Sequence, residues 1–200
     1  MKYAVYDTVV PQDKRQETNE KLLYLIDSGK AGDYGISGDD IYNLYTGDGG
    51  LHGLSRQDYE NYASYSKAKK EIENGQFFTP PVLCHLVTKA LSPPSDAAVA
   101  DLTCGAGAFF NFMPAENNLY GCELDMKAYK VAKYLYPRAN LVNGDIRSYQ
   151  PSIRFDYVVG NPPYNLRWWV EDDEKTLSQL YYCWKAAELL KPFGILAMIV

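Results

Sequence analysis

Short apolar runs alternate with amphipathic stretches from about residue 96 onward. Five runs, bounded by turn residues, predict strands at 97–101, 119–123, 140–142, 155–159 and 194–200. Two longer segments, 126–136 and 176–190, have the apolar spacing of helices. Because regular alternation of apolar strands with helices is typical of a parallel sheet covered on both faces, we predict an α/β fold for this part of the chain.

The first third of the chain has a helical pattern broken by glycine-rich stretches. Thr18 is a candidate N-cap for a helix whose apolar positions stop at Gly29, and residues 41–45 suggest a further short helix. A longer helix is expected from about Ser55 to Gly75. We therefore divide the chain into a helical N-terminal segment, residues 1–74, and an α/β domain, residues 75–200.

Polar and glycine residues follow three of the predicted strands. The stretch DLTCGAGAFF places Asp101 at a strand end, with Gly105 and Gly107 in the turn that follows. YGCELD places Glu123 at the next strand end, and NGDI places Asp145 after the third. Parallel sheets bind ligands at the carboxyl ends of their strands, and an acid about twenty residues after such a glycine turn is placed to bind ribose hydroxyls. Together these residues describe a nucleoside-shaped site in which Asp145 could accept from an adenine amino group.

Each of these signals has an ordinary structural alternative. A two-glycine turn without a third glycine occurs in many plain loops. An acid after the second strand can cap the next helix, a role that Asp125 suits better than Glu123. Asp145 lies in an Asn-Gly-Asp turn, which is common without any function.

The fourth predicted strand runs directly into Asn161-Pro162-Pro163-Tyr164. Two prolines fix the backbone and restrict the residue before them, so this is more than a turn requires. A chance occurrence of these four residues in a chain of this length is on the order of one in a thousand. The motif is therefore a strong signal.

Composition and charge limit the class of protein. With 46% hydrophobic residues the chain can form a core, and no apolar run reaches the ~18 residues that would cross a membrane. The N-terminus lacks the pattern of a signal peptide, and the four cysteines lack the paired spacing of a zinc site or a disulfide framework. We expect no metal and a cytoplasmic location. The net charge of −5 is unusual for a protein that binds nucleic acid mainly through phosphates.

These motifs together resemble the S-adenosylmethionine-dependent N6-adenine DNA methyltransferases. The resemblance covers residues 70–200 and begins at GQFFTP, residues 75–80, which is similar to the first cofactor motif of that family. Its position upstream of the glycine turn, with NPPY downstream, matches the gamma order of motifs. One departure is Leu102, where many members have proline after the aspartate.

The resemblance implies a Rossmann-like parallel sheet of the class I methyltransferase type and S-adenosylmethionine as cofactor. It implies that Asn161, Pro162, Pro163 and Tyr164 are catalytic. The cofactor-binding positions that it implies are Phe77, Phe78, Thr79, Pro80, Asp101, Thr103, Gly105, Gly107, Phe109, Glu123, Leu124, Asp145, Ile146 and Asn161. Phe77, Phe78 and Phe109 could line the methionine end of the cofactor, although core packing is an equal alternative for Phe78.

The catalytic assignment has a chemical reason. The exocyclic amine of adenine is a weak nucleophile because its lone pair is delocalised into the ring. The side-chain carbonyl of Asn161 and the backbone carbonyl of Pro162 would accept its two hydrogens, and Tyr164 would stack on a base turned out of the duplex. Arg167, Trp168 and Trp169 could contact the target strand, unless the two tryptophans only pack.

The family's sheet has more strands than the five found here, and no region that reads DNA bases is evident. We therefore expect a C-terminally incomplete catalytic portion, whose fifth strand pairs with a second copy or a missing domain or subunit. DNA is the expected partner, in a restriction-modification or mobile-element setting. Alternatives are a glutamine methyltransferase acting on release factors, an RNA guanine N2-methyltransferase, or a cofactor-binding subunit without activity of its own.

Overall fold

The computed structural model describes residues 12–46, 59–73, 78–113, 118–164, 166–169 and 175–200. Its strands are β1 Val99–Asp101, β2 Leu119–Glu123, β3 Asn140–Asn143, β4 Phe155–Gly160, β5 Arg167–Trp169, β6 Lys175–Leu177 and β7 Leu190–Met198. Its helices are α1 Gln12–Asp27, α2 Gly38–Thr46, α3 Tyr62–Glu73, α4 Pro81–Leu91, α5 Met126–Leu135 and α6 Ser178–Leu189. Short 3-10 helices occupy Phe109–Phe112 and Ile146–Ser148.

Five strands form one parallel sheet in the order β3-β2-β1-β4-β7. The chain moves outward from β1 to one edge and then returns to build the other side, so the strand order reverses between β1 and β4. In such sheets the loops on either side of this point diverge and leave a crevice at the carboxyl edge. The predicted parallel α/β fold is confirmed.

Side chains of successive strand residues enter two different cores. In β1, Val99 packs into the layer formed with α1, α2, α4 and α5, while Ala100 packs into the layer under α6. In β4, Val159 packs into the first of these layers and Val158 into the second. Since successive strand residues point to opposite faces, a sheet covered on both sides requires apolar residues on both faces, as the Val99–Ala100 and Val158–Val159 pairs provide.

Helices α1 and α2 belong to the first of these cores. Leu22 of α1 and Tyr42 of α2 are buried in the same cluster as Val131 of α5. An ion pair of 2.7 Å joins Lys130 of α5 to Asp27 of α1. Helices α1 and α2 of the helical segment therefore pack directly on the sheet domain. No helix within the described ranges is long and apolar enough to cross a membrane.

Most predicted element boundaries agree with the structure to within about two residues, with the following differences. Thr18 lies inside α1 and is not its N-cap. The helix predicted at 176–190 begins at Ser178, because Lys175–Leu177 pairs with Arg167–Trp169 in an antiparallel hairpin. The last strand begins at Leu190, and its regular pairing with β4 resumes at Ile195 after an irregularity. The helix predicted from about Ser55 begins only at Tyr62, because the side chain of Asn61 accepts from the Ser64 N–H at 2.9 Å and caps it there. Ser55 itself lies outside the described residues.

Candidate functional site

A cavity of about 290 Å³ opens at the carboxyl edge of the sheet. Four successive strand ends contribute to its wall: Thr103 and Gly105 after β1, Glu123 at the end of β2, Asp145 after β3, and Asn161 after β4. The predicted convergence of these loops is therefore observed, and it places the acids and the Asn161 loop around one space.

The glycine loop after β1 depends on backbone conformations that side chains disfavour. Gly105 and Gly107 have φ values of 54° and 84°. A Cβ on Gly107 would lie 2.6 Å from the ring of Tyr136, so the close packing of the loop on α5 also requires glycine. The loop thus presents Gly105 to the cavity while Gly107 packs inward.

Glu123 is bound to the glycine loop. Its two carboxylate oxygens accept from the backbone N–H groups of Gly105 and Asp125, each at 2.7 Å. Burial raises the pKa of Glu123, and these hydrogen bonds oppose that effect. Each carboxylate oxygen retains acceptor capacity for a ligand hydroxyl. Asp125 instead caps α5 by accepting from Lys127 N–H at 2.8 Å, as the sequence suggested.

Asp101 lies beneath the loop, buried from solvent, and accepts from Thr103 N–H at 3.1 Å. Burial is the main cause that raises the pKa of Asp101 to about 8, and neighbouring Glu123 adds to it. The Thr103 hydroxyl oxygen is buried and has no hydrogen-bond partner within the described residues. A buried hydroxyl on the cavity wall without a partner is what a bound polar ligand would satisfy.

Asp145 is already engaged by a cation. The guanidinium of Arg147 binds it at 2.5–3.0 Å, and this hydrogen bonding lowers the pKa of Asp145. Arg147 also donates to the backbone carbonyl of Trp169 at 3.3 Å, which links the third strand end to the hairpin. Sequence reasoning missed Arg147, although a basic residue two positions after a candidate ligand carboxylate was a usable signal.

The Asn161 loop is held from both sides. Asn161 and Pro163 line the cavity, and the Tyr164 hydroxyl donates to the side-chain oxygen of Asn161. Ser178 at the start of α6 donates from its hydroxyl to the Pro163 carbonyl at 2.5 Å. Burial raises the pKa of Tyr164, so its hydroxyl stays protonated at neutral pH. The oxygen that the chemistry needs as an acceptor thus accepts one hydrogen bond within its own loop and keeps a second acceptor site.

Other predicted residues divide between the cavity and the core. Phe78, Leu124 and Ile146 line the cavity. Phe109 is buried in the core, so the structure places it behind the wall. Thr79 is buried, Pro80 precedes α4, and Pro162 is buried. Phe77 lies outside the described residues.

The β5–β6 hairpin places Arg167, Trp168 and Trp169, which are adjacent in the sequence, on two different sides. Trp168 lines the cavity and contacts Tyr181 edge-on, with ring centroids 5.8 Å apart. Trp169 points away and is exposed, with the Lys175 ammonium 4.3 Å from its ring centroid. Arg167 is exposed on the same outer side as Trp169. One tryptophan therefore belongs to the cavity wall and the other to the surface.

A group of the size and chemistry of an adenine nucleoside cofactor fits these residues. Glu123 and the unpartnered Thr103 hydroxyl offer polar contacts, and Phe78 and Ile146 offer apolar ones. No cluster of histidine, cysteine and acidic residues suited to a metal ion occurs in the parts of the chain that the structure describes.

The strand order and this carboxyl-edge cavity define a Rossmann-like fold of the class I methyltransferase type. The family model described as N-6 DNA methylase matches residues 56–189, about two thirds of the chain. The chain belongs to the N-6 DNA methylase family. Membership implies S-adenosylmethionine as the cofactor of the site.

Individual relatives are longer than this chain. The methylase subunit of the type I restriction enzyme MjaIX of Methanocaldococcus jannaschii is 33% identical over 116 residues; the match covers 48% of this chain and 20% of that protein. The type II methyltransferase M.CvrRI of Paramecium bursaria Chlorella virus XZ-6E is 26% identical over 102 residues, covering 50% and 27%. The chain thus spans about a fifth to a quarter of these curated relatives.

The type I restriction-modification methyltransferase subunit of Streptococcus thermophilus superposes with a TM-score of 0.49 at 18% identity, covering 99% of this chain and 56% of that one.

Proposed function

We propose that the chain transfers a methyl group from S-adenosylmethionine to N6 of adenine in DNA. The observation that carries the proposal is that Asn161 and Pro163 of the NPPY loop line the same cavity as the acids at two other strand ends, Glu123 and Asp145. The family match supports DNA over the release-factor and RNA alternatives. The names of the relatives support a restriction-modification setting, and a mobile-element setting and a cytoplasmic location remain predictions.

The cofactor-binding side of the cavity is assigned to the loops after β1 to β3. Glu123 would accept from the ribose hydroxyls, the Thr103 hydroxyl would gain the partner it lacks, and Phe78 would cover an apolar part of the ligand. S-adenosylmethionine, when bound, supplies an electrophilic methyl group on a sulfonium centre. The Asp145–Arg147 pair would hold the edge of the adenine site in a fixed position.

The acceptor side is assigned to Asn161 and Tyr164. The Asn161 carbonyl and the Pro162 carbonyl would accept from the target amine and concentrate electron density on its nitrogen. The Tyr164 hydroxyl takes one of the two acceptor sites of the Asn161 side-chain oxygen, so the second site is the one offered to the target amine. Trp168, on the cavity wall beside Asn161 and Pro163, offers a second aromatic surface for the base.

Mutation can separate the two hydrogen bonds assigned to the Asn161 oxygen, one from the target amine and one from the Tyr164 hydroxyl. Asn161→Ala removes the acceptor, and we expect methyl transfer to fall by about 100-fold or more. Tyr164→Phe keeps the ring and frees the acceptor, so its rate should stay within about fivefold of wild type. The measurement is transfer of labelled methyl from S-adenosylmethionine to unmethylated DNA, with N6-methyladenine identified in the product.

Three outcomes discriminate between the candidate functions. Label on adenine that is lost in Asn161→Ala supports the proposal. Cofactor binding by the wild type without label on DNA contradicts it. Release factors and RNA are then tested as acceptors, and absence of label on all of them would indicate a cofactor-binding subunit that requires a partner.

A further inference from the structure

Tyr182 joins the two loops that form the candidate site. It lies on α6, is fully buried, and carries a hydroxyl that donates to the Val159 carbonyl at 2.6 Å. The same hydroxyl accepts from the Leu102 N–H at 3.2 Å. Leu102 opens the glycine loop, and Val159 lies two residues before Asn161. One side-chain atom therefore contacts the start of the cofactor loop and the approach to the catalytic loop.

The Tyr182 hydroxyl contacts the two loops at the point where the hydrogen-bonded pairing of β1 with β4 ends. The last registered pair between β1 and β4 is Asp101 with Val159. Beyond this pair the two strands separate into their loops. There the Tyr182 hydroxyl bridges the Leu102 N–H and the Val159 carbonyl. Because both groups are buried, water could not easily replace the bridge.

The sequence leaves room for the hydroxyl at Gly160. A Cβ at this position would lie 2.1 Å from the Tyr182 hydroxyl oxygen and 3.2 Å from a carboxylate oxygen of Asp101. The absence of a side chain between Val159 and Asn161 thus lets α6 reach the carboxyl edge of the two central strands.

The same helix holds the catalytic loop at a second point. Ser178, one turn earlier, donates from its hydroxyl to the Pro163 carbonyl and from its backbone N–H to the Leu166 carbonyl at 2.9 Å. Ser178 thus fixes the far end of the Asn161 loop, and Tyr182 fixes its near end to the cofactor loop.

We propose that Tyr182 is a positioning residue that sets the cofactor loop relative to Asn161. The role rests on the proposed methyl transfer. Transfer requires the donor and acceptor to be aligned in line, and small misplacements of reacting groups cost large factors in rate. Tyr182 would touch neither substrate nor cofactor and would act through the backbone at Leu102 and Val159.

The test is Tyr182→Phe, which keeps the ring and removes the hydroxyl. We expect the single-turnover rate of methyl transfer, at saturating S-adenosylmethionine and DNA, to fall by about tenfold or more. The affinity for S-adenosylhomocysteine, measured by calorimetry, should change less than about threefold, since the loop residues assigned to cofactor binding are unchanged. Faster amide exchange at Leu102 would confirm that the bridge is lost.

Leu189→Ala is the matched control. Leu189 lies on the buried side of the same helix and in the same core cluster, away from both loops. The substitution leaves a cavity and lowers stability, so it shows what destabilisation by itself does to the rate. We expect it to lower the melting temperature at least as much as Tyr182→Phe while leaving the rate near wild type.

Two results would overturn the inference. One is a rate for Tyr182→Phe no lower than that for Leu189→Ala. The other is a loss of S-adenosylhomocysteine affinity as large as the loss in rate, which would make the residue a support of cofactor binding only. A wild-type chain that binds S-adenosylhomocysteine but methylates no adenine would instead contradict the proposed function, and with it the role that rests on it.

Discussion

Asp101 is buried and Glu123 is partly buried at the carboxyl edge of the sheet. Burial raises the pKa of each, and each raises that of its neighbours on the glycine loop, including the thiol of Cys104. Hydrogen bonds from Thr103, Gly105 and Asp125 offset part of this cost. Such destabilised carboxylates are retained where a ligand makes use of them, which agrees with the assignment of Glu123 to cofactor binding.

Asp101 therefore makes stability depend on pH. Its pKa in the folded chain is about 8, above the ~3.9 of an unfolded aspartate, so the folded state binds the proton more tightly. Stability is greatest below pH 4 as far as this group is concerned, and it falls as pH rises toward 8. We expect Asp101→Asn to stabilise the chain by at least about 1 kcal/mol at pH 8, where it removes the buried charge, and by less at pH 5.

The control for this prediction is Asp145→Asn. Arg147 lowers the pKa of Asp145, so this carboxylate stabilises the folded chain above its unfolded pKa and loses that contribution as pH falls. Asp145→Asn should therefore destabilise at neutral pH, opposite in sign to Asp101→Asn. Thermal unfolding from pH 5 to 8.5 measures both. A melting temperature of Asp101→Asn that follows wild type in parallel over this range would contradict the assignment.

At the scale of elements, the β5–β6 hairpin has two unlike faces. Trp168 and Thr176 face inward, where Trp168 closes the cavity. Arg167, Trp169 and Lys175 are exposed on the other face. An exposed aromatic ring beside cationic side chains is suited to stacking on bases of a nucleic acid strand. The sequence has four acids at 171–174, between the two strands of the hairpin, and like charges repel phosphate, so we expect stacking to carry most of the contact.

Trp169 can be tested against a tryptophan of equal exposure. Trp169 is 56% exposed, and Trp184, on α6, is 54% exposed. We expect Trp169→Ala to weaken binding of fluorescein-labelled DNA by about fivefold or more, since stacking on one base contributes ~1–3 kcal/mol. Trp184→Ala should leave the affinity near wild type in the same anisotropy titration. Equal losses for the two variants would show that the hairpin face has no special role.

At the scale of the molecule, the sheet has two edge strands in the described chain, β3 and β7. They differ in length and neighbours: β3 is short and lies beside α5, whereas β7 has nine residues and includes exposed Ile195. A long apolar edge is prone to pair with another strand. We propose that β7 pairs with a second copy or with a further domain or subunit.

Two matched substitutions test whether β7, rather than β3, is the edge strand that pairs. Ile195 is 46% exposed on β7, and Val142 is 47% exposed on β3. We expect the wild-type chain to self-associate at high concentration, and Ile195→Lys to reduce this association because a charge on an edge strand disfavours pairing. Val142→Lys should have little effect. Light scattering coupled to size exclusion measures the mass, and a wild-type monomer at high concentration would contradict pairing between copies.

Local chemistry in the sequence determined much of this protein. The apolar runs specified the central strands, because a strand buried on both faces has to be apolar along its length. The glycines specified the turn after β1, and Asp125 specified the start of α5, because each depends only on backbone geometry and adjacent residues. The family, the fold class and the strand ends that meet at the cavity followed from these local patterns.

Contacts between distant segments were decided only by the tertiary structure. The bridge from Tyr182 to Leu102 spans 80 positions, and nothing in the local pattern of α6 distinguishes Tyr182 from another core tyrosine. The hairpin likewise gave no turn signal, and only its pairing showed that Trp168 faces the cavity while Trp169 faces solvent. Which side chain reaches which loop depends on how the helices lie across the sheet, and that geometry is set by packing of the whole chain rather than by any short stretch of it.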